Sequence, residues 1–269
     1  MNVLSLFDGI SCGRVALERA GIKVNKYFAC EIDKYAIKIS EKNYPDIIHL
    51  GDINGWKTWD LPKIDLIIGG SPCQGFSRAG KELNFEDPRS KLFFIFVDIL
   101  NFYKPKYFLL ENVMMRKEWQ DVISTYLNTA PVSINSSLLS AQNRRGLYWL
   151  NFLITQPEDK GIFVKDILEK DAVIPIYHNL YGGFKETKPR VFSTKSPTIR
   201  TSAGGGHIPS VGNVNGTIRK LTPLECERLQ TLPEGYTEGI SDTQRYNCIG
   251  NGWTVDIIAH IFGQLPLDK

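Results

Sequence analysis

Five short apolar runs in the first 110 residues limit the folds open to this chain more than any other feature. They lie at residues 3–7, 26–30, 47–50, 64–68 and 106–110. Each is mostly apolar, with at most one polar residue, rather than alternating, the pattern of a strand covered on both faces. Helical segments are expected between them at 13–20, stopped by Gly21, at 34–42 and at 92–102. Strands that alternate with helices build a mostly parallel sheet with helices on both sides, an α/β fold of Rossmann-like type. Two further extended stretches, 133–139 and 147–154, are expected to close the sheet as a hairpin-like edge. Beyond residue 155 the pattern breaks into short pieces around Pro175, Pro189, Pro197, Pro209 and Gly204-Gly205-Gly206. Regular structure resumes at 222–232, where Thr222-Pro223-Leu224-Glu225 has the form of a capping box with proline at the first helical position. A last helix is expected at 255–262. The expected organisation is a main domain at 1–154, a small irregular region at 155–217 and a segment at 218–269 that returns to the main domain.

Several classes drop out on composition. No apolar run approaches the roughly 20 residues needed to span a bilayer. Residues 3–7 lead straight into a strand with no basic segment before them, so a cytoplasmic protein is expected. The five cysteines are odd in number and contain no Cys-x-x-Cys pair, which argues against a disulfide framework and a zinc site. A net charge of +3 says little about partners, but its distribution says more. Lys185, Lys188, Arg190, Lys195, Arg200, Arg219 and Lys220 face the single acid Glu186 between residues 178 and 220. Such a block is either a solvated surface or a phosphate-binding face.

The first turn, Phe7-Asp8-Gly9-Ile10-Ser11-Cys12-Gly13, joins a strand to a helix, and its glycines let the backbone approach a ligand. It is not a Gly-x-Gly-x-x-Gly fingerprint. Glu31 ends the second strand, where an acid accepts hydrogen bonds from ribose hydroxyls. Asp52 follows the third strand, placed to accept from an adenine amine. Together they indicate an adenosine-containing cofactor, either a nicotinamide dinucleotide or S-adenosylmethionine. Cys73 follows a strand ending in Gly69-Gly70, and Glu111 ends the strand Tyr107-Phe108-Leu109-Leu110. Neighbouring fourth and fifth strands would let the thiol and the carboxyl face one pocket. That pair suits conjugate addition to a pyrimidine, with the thiolate attacking C6 and the acid holding N3.

Ser71-Pro72-Cys73-Gln74-Gly75-Phe76-Ser77 and Glu111-Asn112-Val113 resemble the two catalytic motifs of the DNA (cytosine-5)-methyltransferases. Further motifs follow in that family's order: 6–13, 87–93, 219–230 and Gly250-Asn251-Gly252-Trp253-Thr254-Val255. Trp253 and the 7–10 turn are similar to the short catalytic domains of the animal de novo enzymes. The resemblance spans nearly the whole chain. It implies methylation of cytosine C5 in double-stranded DNA, with S-adenosylmethionine as donor and no metal. The target base leaves the stack, because its C6 is shielded inside a duplex. By resemblance, Cys73, Glu111 and Arg144 are catalytic. Phe7, Asp8, Gly9, Ile10, Ser11, Glu31, Ile32, Asp52, Ile53, Pro72, Leu92, Asn251 and Trp253 would hold the cofactor. Gln74, Ser77, Arg78, Arg144, Arg145, Lys195, Arg200, Thr201 and Ser202 would meet DNA, with Arg200 either on a guanine edge or on phosphate.

One departure stands out. The family pattern Gln-x-Arg-x-Arg reads Gln142-Asn143-Arg144-Arg145-Gly146 here, with glycine in place of the second arginine. Arg145 is the candidate substitute. Three rivals are an RNA (tRNA) methyltransferase of the same fold, a non-catalytic DNA-binding homologue and a nicotinamide oxidoreductase. The last explains the acids but neither Cys73 nor Glu111. A cognate restriction endonuclease is a candidate functional partner, and a monomer is favoured.

Overall fold

The computed structural model describes residues 1–71, 88–178, 188–201 and 208–267, with backbone alone at 88–90. Its largest sheet has seven strands, and the first five in sequence are β1 (Asn2–Leu6), β2 (Lys26–Cys30), β3 (Ile48–His49), β4 (Leu66–Gly69) and β5 (Tyr107–Val113). Then come β6 (Val132–Asn135), a short β7 (Gln142–Asn143) that belongs elsewhere, and β8 (Arg145–Leu150). The spatial order is β3-β2-β1-β4-β5-β8-β6. The five expected strands are parallel to one another, and β8 runs antiparallel to β5. The expected edge is present in altered form: β6 is outermost and β8 lies between it and β5. Chain order reverses at β1, which has β2 on one side and β4 on the other. Such a switch point is where open α/β sheets place ligands.

The intervening helices are α1 (Cys12–Arg19), α2 (Lys34–Asn43), α3 (Pro88–Tyr103) and α4 (Lys117–Leu127). Asp33 caps α2 by accepting from the Tyr35 and Ala36 amides. Helix α4 lies outside the elements read from the sequence. The core of this unit gathers Leu4, Leu6, Phe28, Ile67, Phe93, Phe96, Leu110 and Trp149. Gly69 is forced by that packing: a Cβ there would lie 2.9 Å from the Leu6 carbonyl and 3.1 Å from the Phe96 ring. Among the described residues no helix is long and apolar enough to cross a membrane.

The chain divides into two compact units, and the expected boundaries need correction. The first unit holds residues 1–134, 145–156 and 261–269; the second holds 135–144 and 157–260. Residues 218–260 therefore cluster with 157–217, and only the last few return to the first unit. The second unit has its own core of Val164, Ile176, Ile199, Val211, Leu221, Leu229 and Ile249. The 155–217 region is also more regular than expected. Strands β9 (Ala172–His178), β10 (Arg190–Phe192), β12 (Ser210–Asn213) and β13 (Ile218–Lys220) form a sheet in the order β10-β9-β12-β13, while β11 (Ser196–Pro197) pairs with β7. Helices α5 (Pro223–Leu229), α6 (Asp242–Asn251) and α7 (Val255–Phe262) follow. The Thr222–Glu225 capping box is present, with both reciprocal hydrogen bonds made.

Candidate functional site

The expected cofactor turn leaves the tip of β1 at the switch point. Phe7, Gly9 and Ser11 all have φ near +60°. Left-handed backbone at two non-glycine residues is costly, so the surroundings must impose it. Those surroundings are visible. The Asp8 amide donates to the Cys30 carbonyl at 3.0 Å, and Tyr27 Oη donates to the Asp8 carboxylate at 2.7 Å. Ser11 Oγ donates to the same carboxylate and shares a hydrogen bond with Ser40 of α2. Burial pushes the Asp8 carboxyl above its usual range, against the bonds from Ser11, Ser5 and Tyr27; the Glu31 charge pushes the same way.

Glu31 extends from β2 toward this turn. Its Oε2 accepts from the Gly9 amide at 2.8 Å, and its Oε1 accepts from the Ile32 and Asp33 amides at 2.8 and 2.9 Å. The adjacent Ile32 side chain is 75% exposed, an open apolar surface beside an acid. Asp52 caps the short 3-10 turn at Ile53–Thr58, accepting from the Asn54 amide and side chain. Cys30 Sγ donates to the Gly51 carbonyl at 3.0 Å, and burial pushes this thiol up to about 12. The structure thus brings Phe7, Asp8, Gly9, Ile10, Ser11, Glu31, Ile32 and Asp52 to one end of the sheet. Ile53 is buried in the core, and Leu92 packs against the same core from α3. An adenosine fits this end on three counts: a carboxylate at a strand tip, an exposed apolar side chain beside it, and a turn of left-handed backbone.

Glu111 sits on β5, directly beside β4. The expectation that these strands are neighbours holds. The link is closed by Asn112, 2% exposed, whose Nδ2 lies 3.3 Å from both the main-chain and side-chain oxygens of Ser71. The chain therefore leaves β4 tied to the residue after Glu111. Pro72, Cys73, Gln74, Ser77, Arg78 and Ser202 lie outside the described residues, as do Lys185 and Glu186. The other four cysteines, Cys12, Cys30, Cys226 and Cys248, are buried free thiols.

The second unit holds Arg144, Lys195, Arg200, Thr201, Asn251 and Trp253. Its centre is a buried polar hub that sequence reasoning left out of the site. Gln142 Nε2 donates to the Leu229 carbonyl and to Gln230 Oε1, while its Oε1 accepts from the Ile199 amide at 2.8 Å. Gln230 Nε2 donates to the Ile249 and Gly252 carbonyls. Thr254 Oγ1 donates to Gln230 Oε1 and accepts from Ser136. Gln142, Gln230 and Thr254 are all buried. The available signal was the presence of two glutamines and a threonine in separate motifs of one ordered set.

This hub anchors the segment that carries Arg200. Arg144 Nη1 donates to the Ile199 and Gly250 carbonyls at 3.3 and 3.2 Å. A Cβ on Gly250 would lie 2.5 Å from the Arg200 carbonyl carbon and 2.6 Å from the Thr201 nitrogen, so only glycine admits that close approach. Arg200 itself is exposed, Trp253 is half-buried and Asn251 is exposed.

Among the described residues, the basic block does not present one open cationic face. Lys195 Nζ donates to the Ser137, Ser140 and Ile162 carbonyls, which occupies its three protons. This corrects its expected role: it is a strut inside the second unit, not a free phosphate ligand. Arg219 makes a double contact with buried Glu225 and a further one with Asp171. Arg190 lies against His178. Arg145 is exposed on β8.

A profile of the family described as C-5 cytosine-specific DNA methylase matches residues 1–129 and 133–266. The Neisseria lactamica type II methyltransferase M.NlaX is 32% identical over 299 residues, covering 98% of this chain and 96% of the relative. The Lactococcus lactis subsp. cremoris type II methyltransferase M1.ScrFI is 32% identical over 296 residues, covering 96% of this chain and 76% of the relative. Among solved structures, the S. pombe Dnmt2 methyltransferase superposes with a TM-score of 0.73 at 20% identity, over 98% of each chain. The Entamoeba histolytica methyltransferase EhMeth gives 0.70 at 19% identity, over 98% of this chain and 97% of that one. At these identities the two superpositions speak for the fold.

Proposed function

Because this chain belongs to the C-5 cytosine-specific DNA methylase family and is a DNA cytosine-5 methyltransferase, we propose that its first unit binds S-adenosylmethionine and performs the chemistry with Cys73 and Glu111. The observation that carries this reading is the Asn112–Ser71 tie, which holds the Glu111 segment of β5 against the chain leaving β4, two residues before Cys73 in sequence. Glu31 would receive the ribose hydroxyls in place of the Gly9 amide. Ile32 would cover one face of the adenine, and Asp52 would accept from its amine. When bound, the donor supplies an electrophilic methyl group. No described group of His, Cys, Asp or Glu has a metal-site arrangement, and the proposed chemistry uses none.

The target cytosine is flipped out of the duplex, at a cost of a few kcal/mol that pocket contacts offset. The Cys73 thiolate adds to C6. Glu111 holds N3 and the exocyclic amine, so that the ring's electron pair is directed to C5 rather than left as charge on the base. After C5 is methylated, water takes its proton and Cys73 departs, restoring the 5,6 double bond. Arg144 supports the flipped nucleotide with the part of its guanidinium not committed to Ile199 and Gly250. Arg200 reads a short sequence context from the edge of the second unit, with Thr201 beside it. The enzyme works as a monomer in the cytoplasm, beside a cognate restriction endonuclease or without one.

Cys73→Ser tests the mechanism. Turnover on duplex DNA is expected to vanish while duplex binding and the melting temperature stay at wild-type levels. Retained methyl transfer by that variant contradicts it. A tRNA substrate run in parallel distinguishes the RNA reading: methylation of tRNA and not of duplex DNA would favour it.

A further inference from the structure

The left-handed backbone at Phe7 and Ser11 needs a cause, because a side chain adopts φ near +60° only where its surroundings dictate it. Two tethers hold the turn by its amides: Asp8 N–H on the Cys30 carbonyl and Gly9 N–H on Glu31 Oε2. In the proposed function, ribose hydroxyls displace the second. The turn then depends on a set of side chains beneath it. Tyr27, buried on β2, donates from its hydroxyl to Asp8 Oδ1 at 2.7 Å. Ser11 donates to Asp8 Oδ2. A hydroxyl carries one proton, so Ser40 of α2 donates in turn to Ser11. Ser11 and Ser40 are both fully buried. Ser11 also stands at the N-cap of α1, where a serine ordinarily accepts from the helix amides. It makes no such side-chain bond here, and its hydroxyl serves the turn instead. One carboxyl thus ties the turn to β2 through Tyr27 and to α2 through Ser11 and Ser40.

We infer that Tyr27 is a positioning residue for cofactor binding: its hydroxyl, through Asp8, holds the Phe7–Ser11 turn in the left-handed form that receives S-adenosylmethionine. The inference rests on the proposed reading of this turn as the cofactor site. Asp8, which the family resemblance places among the residues holding the cofactor, acts from behind the turn, with both of its oxygens engaged by protein hydroxyls. The inference explains why a buried position on β2 carries a phenol. A phenylalanine would fill the same space and leave Asp8 Oδ1 without that donor.

The test is Tyr27→Phe, which keeps the ring and removes only the hydroxyl, read by calorimetric titration of S-adenosylmethionine into the full chain. Glu31→Gln is titrated beside it. In Tyr27→Phe, Kd is expected to rise about tenfold, the lower end of the scale for losing one hydrogen bond to a charged group. At saturating cofactor, kcat on duplex DNA should stay within about twofold of wild type, because the phenol touches no reacting atom. An unchanged Kd, whatever happens to the melting temperature, overturns the inference and leaves Tyr27 a tie in the core. A loss of kcat at saturating cofactor as large as the rise in Kd shows general damage and also overturns it. Weakening by Glu31→Gln alone refutes the role of Tyr27 and leaves the site standing. An unchanged Kd in Glu31→Gln refutes the reading of the turn as the cofactor site, and the inference with it. Should Tyr27→Phe fail to fold, Ser40→Ala decides from the other end of the network. A rise in Kd of about threefold or more supports the inference, and an unchanged Kd refutes it.

Discussion

The two units place polar groups at strand and helix ends in opposite ways. In the first, the acids at the sheet tip are partly exposed and bonded to backbone amides of exposed turns: Glu31 to Gly9 of the turn after β1 and to Ile32 and Asp33, and Asp52 to Asn54. A ligand can replace such partners at little cost, because the amides released can turn to water. In the second, Gln142, Gln230 and Thr254 are buried and bonded to one another and to main-chain carbonyls from several elements. None of those bonds can be given up without leaving a buried polar group unpaired, which costs about 1–3 kcal/mol each. The first unit is prepared for exchange. The second is held by a fixed polar hub beside the segment that leads to Arg200.

Substitutions should separate these behaviours. Gln142→Ala is expected to have the largest effect on stability, about 2–4 kcal/mol, since it removes three hydrogen bonds and strands the buried Ile199 amide, while Gln230 Oε1 keeps only its bond from Thr254. Chemical denaturation would measure it; a loss below about 0.5 kcal/mol would mean the hub is not rigid. Glu31→Gln should do the reverse. Stability should change by less than about 1 kcal/mol, while KM for S-adenosylmethionine rises about tenfold, the cost of weakening charge-assisted bonds to the ribose. Calorimetric titration of the cofactor checks this, and an unchanged affinity would remove Glu31 from the site.

Asp8→Asn is the smallest effect and is recognised by its sign. Burial raises the Asp8 carboxyl above its usual range, so the folded protein holds that proton more tightly than the unfolded chain. Its stabilising contribution is complete below the usual carboxylate range and is lost as pH rises through the folded value. The variant should therefore gain melting temperature relative to wild type at pH 7 but not at pH 3.5. A constant difference across that range would contradict the burial account.

The parallel sheet was legible because continuous apolar strands need two covering layers, and β1, β2 and α7 lie within a residue of their expected spans. The four-stranded sheet of the second unit was not. Pro175 lies in the middle of β9, an interior strand, and reads as a break. It is tolerated because the β9–β12 register shifts between Val211 and Gly212, an irregularity opposite the proline where ladder bonds are already interrupted. Helix α6 was missed because its apolar residues are few and crowd its C-terminal end. Among the proposed site residues, Glu31 lies just beyond β2 and Asp52 shortly beyond β3, as their places in the sequence suggest, whereas Glu111 lies inside β5 rather than at its end. Lys195 and Arg219 were misleading, because a count of charges cannot tell a cation facing solvent from one already bound to carbonyls or to a buried acid.

The most direct test of the central claim is base-resolution sequencing of plasmid DNA from cells that express this chain, beside cells that express Cys73→Ser. The account predicts 5-methylcytosine at one short recurring context with the native chain and none with the variant. Unmodified DNA from a soluble native chain that binds S-adenosylmethionine would contradict it.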